Sequence, residues 1–295
     1  MSTQSYDTAA LRPAPYTARY VSVGGLKLHV QDYGTAGKPQ MLCVHGSAAH
    51  AHWFDFAASG LNEKYHVLAP DQRGHGDSEW DLSAQPEYNY DRYAADLHEL
   101  SVKLDLRDFI LIGHSMGGLV STVYAATYPG RARAFIMVDS SLDLPAERIA
   151  SMNAVGSREG SSYESSNEFL ANYKIRPSGS SATPDMVRHL GMHSGRRFED
   201  GRWRNKVDRN VYSRRIGQNL IPYWAHIRIP ALLMRGDRSN RISPQVIAQV
   251  RAHAPQVQVA EVAGCDHHVT LDNPRGFVDA CNQWIASIDS SASQN

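Results

Sequence analysis

The segment Gly113-His114-Ser115-Met116-Gly117 constrains this chain more than any other. It follows the apolar run Asp108-Phe109-Ile110-Leu111-Ile112 and precedes Gly118-Leu119-Val120-Ser121-Thr122-Val123-Tyr124-Ala125-Ala126, so a G-x-S-x-G pattern stands between a strand and a helix. A chain that reverses this tightly needs residues without side chains beside the turn. It then holds the central serine in a strained backbone conformation with its hydroxyl clear of the sheet. Ser115 is therefore the candidate nucleophile.

Around this turn, short apolar runs alternate with longer stretches of helical period, the pattern of a mostly parallel sheet covered by helices on both faces. The fold class is α/β. An opening hairpin is expected over 19–33, with further strands at 40–44, 66–69, 108–112, 134–138, 229–234 and 257–262, eight in all. Helices are expected near 53–61, 89–104, 118–126, 244–253 and 274–288. Between 142 and 227 the rhythm breaks. That stretch has no convincing strand, is rich in Ser and Gly, and carries helical fragments around Val187 and Trp203. A structureless loop of that length does not suit a compact domain, so a mostly helical lid is expected. The organisation read from this is a core formed by 1–141 and 228–295, interrupted after the sixth strand by a lid at 142–227. The last residues, SSASQN, read as a disordered tail.

Lys plus Arg and Asp plus Glu number 30 each, a formal charge of zero, so no global field favours nucleic acid or an anionic membrane. The expected partner is a small molecule, and the chain a monomer or homodimer. The first twenty residues lack a signal-peptide core, and no run reaches the roughly eighteen apolar residues a membrane span needs. A cytoplasmic protein is expected. Cys43, Cys265 and Cys281 are widely spaced with no C-x-x-C pair, which suggests neither disulfides nor a thiolate metal site.

A serine hydroxyl is nearly inert at neutral pH and needs a base, a group that orients the base, and donors aimed at the developing oxyanion. The base is read as His267 in Gly264-Cys265-Asp266-His267-His268-Val269, at the carboxyl end of the last strand. The adjacent His268 is its competitor. His267 is preferred by its count from Gly264 and from Asn273-Pro274. The acid is assigned to Asp237, which ends the strand Leu232-Leu233-Met234-Arg235-Gly236 and preserves the chain order Ser, Asp, His. Asp139, at the end of the sixth strand, is the alternative acid. The oxyanion donors are read as the backbone amides of Ser47 and Met116.

With these parts assembled the chain resembles the α/β-hydrolase superfamily, in particular its lid-bearing serine hydrolases. The residues that carry the resemblance are His45-Gly46, Asp71-Gln72-Arg73-Gly74-His75-Gly76-Asp77-Ser78, the Ser115 turn, Gly236-Asp237 and the His267 loop. It spans nearly everything from Tyr20 to Ile288. It implies cleavage of a carboxylic ester, or of a lactone, thioester or vinylogous diketone, through an acyl-enzyme on Ser115 and without a cofactor. The superfamily also holds carbon-carbon bond hydrolases, cofactor-free dioxygenases and ligand receptors built on the same Ser, His and Asp set, and these remain alternatives. Gly74-His75-Gly76, next to Arg73, is expected to fix the rim of the site. Lid aromatics such as Tyr212, Trp203 and Trp224 are candidates either to wall an apolar pocket or simply to pack the lid, and the sequence leaves open which face inward and whether a charged anchor such as Arg188 or Arg241 is present. No metal is expected, because His50-Ala51-His52 followed by Asp55 does not complete the dinuclear H-x-H-x-D-H pattern.

Overall fold

The computed structural model describes residues 11–214 and 216–292. Its first strands are β1 (Thr17–Val23), β2 (Leu26–Asp32), β3 (Gln40–Val44), β4 (His66–Pro70), β5 (Phe109–His114) and β6 (Ala132–Val138). A short hairpin of β7 (Gly195–Arg197) and β8 (Trp203–Asn205) follows, then β9 (Ala231–Gly236) and β10 (Gln258–Val262). The helices in chain order are α1 (Asp55–Leu61), α2 (Tyr90–Lys103), α3 (Met116–Thr127), α4 (Ala146–Gly156), α5 (Ser166–Asn172), α6 (Pro184–Ser194) and α7 (Asn210–Ser213). After them come α8 (Pro244–His253), α9 (Val269–Asp272) and α10 (Pro274–Ala292).

Eight strands form one sheet in the order β1-β2-β4-β3-β5-β6-β9-β10, antiparallel through β1, β2 and β4 and parallel from β4 onward. Successive side chains of a strand point to opposite faces, and here both faces are apolar. Leu42, Leu111, Phe135, Met137 and Leu233 pack on the side of α2 and α3, where Trp224 stacks against Phe135. Met41, Cys43, Ile110, Ile112, Ile136, Leu232 and Met234 pack on the side of α1 and α10. Burial on both faces is why the central strands read as continuous apolar runs. Helix starts follow local chemistry, as where Asn89 accepts from the Arg92 amide at 2.8 Å and Ser243 precedes Pro244 and accepts from the Val246 amide. The three cysteines are buried and unpaired with one another.

Between β6 and β9 the chain builds α4 to α7, the β7–β8 hairpin and a 3-10 helix, Ile221–His226. The expectation of no strand in this stretch is corrected: Trp203 lies in β8, paired to Arg197, rather than in a helical fragment. Three-residue strands separated by a polar turn carry too little periodicity to be read from sequence. The expected tail is corrected in part, since α10 continues through Ser290 and Ser291; the last three residues lie outside those described. No helix among the described residues is long and apolar enough to cross a membrane.

The turn at Ser115 is held by close backbone contact. A Cβ on Gly117 would stand 2.2 Å from the Val44 carbonyl oxygen and 2.5 Å from that of His45, and one on Gly113 only 2.4 Å from the Gly117 oxygen. Replacing Gly117 with Ala should therefore cost about 3 kcal/mol or more in urea unfolding, because rigid backbone must move. Gly130→Ala, at a positive φ but with no atom near the new Cβ, should cost only about 1 kcal/mol. Equal losses would contradict this reading of the turn.

Candidate active site

Ser115 follows β5 at φ 54° and ψ −119°, in the left-handed half of backbone space. Its amide donates to the Val138 carbonyl at 2.9 Å, so the strained residue is fastened to the end of the neighbouring strand. Asp139, also at positive φ, continues that ladder by donating its amide to the Met234 carbonyl at 2.8 Å. The two turns that carry Ser115 and Asp139 are thus placed by sheet hydrogen bonding across β5, β6 and β9.

The loop after β10 delivers the imidazole. His267 Nε2 lies 3.0 Å from Ser115 Oγ and Nδ1 lies 2.8 Å from Asp139 Oδ2. With Nδ1 carrying the proton, it donates to the carboxylate and leaves the Nε2 lone pair facing the hydroxyl. The Ser239 hydroxyl donates to the same carboxylate oxygen at 2.7 Å. His268 turns away, with Nε2 2.9 Å from the Pro177 carbonyl oxygen, and His114 Nε2 contacts the His267 carbonyl at 2.8 Å, which supports the loop from below.

This geometry corrects the assignment of the acid. Asp237 is exposed, and its Oδ1 accepts from the Cys265 amide at 3.0 Å. It therefore pins the loop that carries His267 without touching the ring. Burial and side-chain contact separate the two: Asp139 is buried against the His267 ring, whereas Asp237 is exposed. Asp139 was legible only as a strand-end aspartate, and chain order alone did not separate it from Asp237.

Burial sets the protonation states. It pushes the Asp139 carboxyl up to about 6, against the opposing pull of the Ser239 hydroxyl and nearby cationic groups. Burial also holds His267 well below its ordinary value, reinforced by His268, Arg241 and Arg148. Near neutral pH the pair is accordingly a neutral imidazole against a carboxylate, the state in which Nε2 can accept a proton.

Above Ser115 opens a cavity of about 470 Å³. Its floor includes Gly46, Ser47, Ser115, Met116 and His267, and Leu144, Arg148, Met152, Arg176 and Tyr212 of the insertion close over it. A Cβ on Gly46 would stand 3.0 Å from that of Ser115, which shows how closely the β3 loop approaches the hydroxyl. Met116 opens α3, so its amide belongs to a helix N-terminus, a setting that favours negative charge. The loop from Asp71 to Ser78 fastens this region. Gln72 donates its amide to His45 Nε2 at 2.9 Å and its side chain to the His45 carbonyl at 2.7 Å, and Asp71 Oδ1 accepts from the Ala51 amide at 2.7 Å. Of the candidate lid aromatics, Tyr212 lines the cavity, whereas Trp224 packs against the sheet and Trp203 pairs with Tyr163. Arg241 lines the cavity; Arg188 lies on a separate groove beside α6.

Comparison with known proteins agrees with this architecture. A family model described as alpha/beta hydrolase fold matches residues 39–274, and the chain belongs to that family. The 2-(acetamidomethylene)succinate hydrolase of Mesorhizobium japonicum is 28% identical over 279 residues, spanning 92% of this chain and 95% of that protein. The N-formylmaleamate deformylase of Pseudomonas putida is 26% identical, spanning 90% of this chain and 95% of its own length. A crystal structure of E-2-(acetamidomethylene)succinate hydrolase superposes with a TM-score of 0.80 at 26% identity, covering 92% of this chain and all of that one. These relatives are hydrolases, and this chain is a hydrolase at the level of its family.

Two outcomes follow from the geometry. Asp139→Asn should lower kcat/KM on a chromogenic ester by about four orders of magnitude, while Asp237→Asn should cost less than about tenfold; the reverse order would restore Asp237 as the acid. The acid limb of kcat/KM should begin near pH 6, where Asp139 takes up a proton, and continue below it as His267 does. Removing the Arg241 cation in Arg241→Gln lets His267 hold its proton more readily, so that limb should move to higher pH. An unchanged or lowered limb would contradict the coupling.

Proposed function

We propose that this chain cleaves a carboxylic ester, or an ester-like carbonyl bond, in a small acyl substrate that itself carries a carboxylate, through an acyl-enzyme on Ser115. The observation that carries the substrate class is a trio of guanidinium groups. Arg148, Arg176 and Arg241 line the same cavity as Ser115, and none forms an ion pair with a carboxylate among the described residues. Arg241 is half-buried, and burial together with the neighbouring Arg148 pulls its pKa down against the opposing pull of Asp139 and Asp266, the sign of two guanidinium groups crowded together. An anion entering the cavity relieves that crowding and is held by charge-assisted hydrogen bonds. Two relatives are named for a succinate and a maleamate derivative, names that denote carboxylic acids, and this supports the same reading.

In this mechanism Ser115 Oγ attacks the substrate carbonyl carbon as its proton passes to His267 Nε2, while Asp139 stabilises the imidazolium from Nδ1. The carbonyl oxygen becomes an oxyanion facing the amides of Ser47 and Met116. The imidazolium then gives its proton to the departing alcohol or amine as the bond to the acyl carbon breaks. Water, deprotonated by the same nitrogen, attacks the acyl-enzyme and releases the acid and Ser115. The insertion from 142 to 227 acts as a lid that supplies Arg148 and Arg176 and limits the cavity to small substrates.

The test is a matched pair: a monoester of a short dicarboxylic acid, and the ester of equal length lacking the free acid. Wild type should prefer the acid-bearing ester, and Ser115→Ala should drop to background, a loss of about 10⁶. Arg148→Gln and Arg176→Gln should each raise KM for the acid-bearing ester by about tenfold or more, with little change for the neutral one. A preference for the neutral ester, or equal effects on both, would contradict the anionic substrate; retained turnover in Ser115→Ala would contradict the acyl-enzyme.

A further inference from the structure

A second cluster of imidazoles lies on the other side of the β3 loop, and Ser115 takes no part in it. The short 3-10 helix Ala51–Phe54 runs into α1, so His52 and Asp55 are three residues apart on one helical face. On α6, His189 and His193 are four residues apart, which also places them on one face. Packing of Met186 and Leu190 of α6 against Ala49, Trp53 and Phe56 turns these two faces toward each other. Asp55 Oδ2 then lies 2.8 Å from His52 Nδ1 and 2.7 Å from His189 Nε2. The His193 ring stacks on His52 at 3.5 Å between centroids, and among the described residues its nitrogens have no hydrogen-bond partner.

We propose that His52, Asp55, His189 and His193 bind one zinc-class divalent ion that fastens α6 to the segment behind the β3 loop. One donor atom from each of the four residues lies within 4.8 Å of every other. Donors bound to zinc at about 2.0–2.2 Å stand about 3.3–3.5 Å apart, so the widest separation must close by up to about 1.4 Å and the contacts of Asp55 to His52 and His189 must open by about 0.6 Å. His193, at the partly exposed end of the cluster, closes it by rotating its ring. Three imidazoles and one carboxylate suit zinc, cobalt or nickel rather than magnesium or calcium, which take oxygen donors. One supporting contact is of the kind that orients a metal ligand: the Tyr33 hydroxyl donates to Oδ1 of Asp55 at 2.6 Å. Asp55 is buried, and its ion-pairing neighbours among the described residues are His52 and His189, with no Lys or Arg. Because four protein ligands fill a tetrahedral ion, the site is a clamp with no position left for an activated water.

The ion's consequence is mechanical. His50, which immediately precedes the 3-10 helix, contacts Ser194 Oγ at the end of α6 at 2.8 Å, and Gly46 to Ala49 line the active-site cavity. An occupied clamp therefore steadies both the insertion and the loop that carries Ser47. The sequence showed only the His50, His52 and Asp55 half of this arrangement, because the other two imidazoles arrive from more than 130 residues away.

The test uses untagged full-length protein freed of metal by a chelator and then titrated with Co²⁺, whose visible bands report tetrahedral coordination. One equivalent should give intense bands that Zn²⁺ abolishes, and Zn²⁺ should raise the thermal midpoint. His189→Ala and His193→Gln, both at partly exposed positions, should weaken Zn²⁺ binding by about 100-fold and remove the midpoint shift. His226→Ala, at an exposed histidine, should leave both unchanged. Absence of the bands would overturn the proposal. So would bands that persist in both α6 variants, since the ion would then sit elsewhere, as at His114, His267 and His268.

Discussion

The 2.8 Å contact between His267 Nδ1 and the buried carboxylate of Asp139 is the interaction around which the site is organised. It joins the loop after the last strand to the end of β6, and the ring it orients has no other way of presenting Nε2 to Ser115. Burying a carboxylate is costly unless it is hydrogen-bonded. Ser239 and His267 both bond Oδ2, while Oδ1 is buried without a side-chain partner, which is consistent with the raised pKa of this carboxyl. Everything else in the core serves to bring three strand ends into register: β5 for the serine, β6 for the aspartate, and β9 as the strand on which the Asp139 turn rests.

Much of this was legible in the sequence. The eight strands, the position of the insertion, Ser115 and His267 all carry local signals: apolar runs bounded by turn residues, glycines whose Cβ atoms would collide with backbone, and an imidazole placed just past a strand. The acid did not, because Asp139 and Asp237 both end strands at the same sheet edge. What separates them is which carboxylate meets the His267 ring, a contact across 128 residues that no single segment records. The β7–β8 hairpin escaped for a different reason, its strands being too short to show alternation. Which lid aromatics face the pocket was not legible, since a tryptophan such as Trp224 satisfies its burial equally well against the sheet.

The insertion connects to the rest of the molecule through polar as well as apolar contacts. Lys206 pairs with Asp77 at 2.7 Å, Tyr88 bonds Asp208, and His189 reaches Asp55. These ties hold the segment that carries Arg148 and Arg176 over the cavity, while Arg241 comes from the core just beyond β9. In the reaction proposed above, this positive charge beside Ser115 would favour substrates bearing an acid. The same charge disfavours protonation of His267. On that proposal, substrate selection and the state of the base share one electrostatic origin.

Reaction with a small fluorophosphonate, followed by intact-mass and peptide mass spectrometry, tests the central claim most directly, because the reagent captures a serine only when a neighbouring base activates it. The account predicts one phosphonyl group per chain, on Ser115, and loss of that label in His267→Gln with the fold retained. A label on another residue, or undiminished labelling of Ser115 without the imidazole, would contradict it.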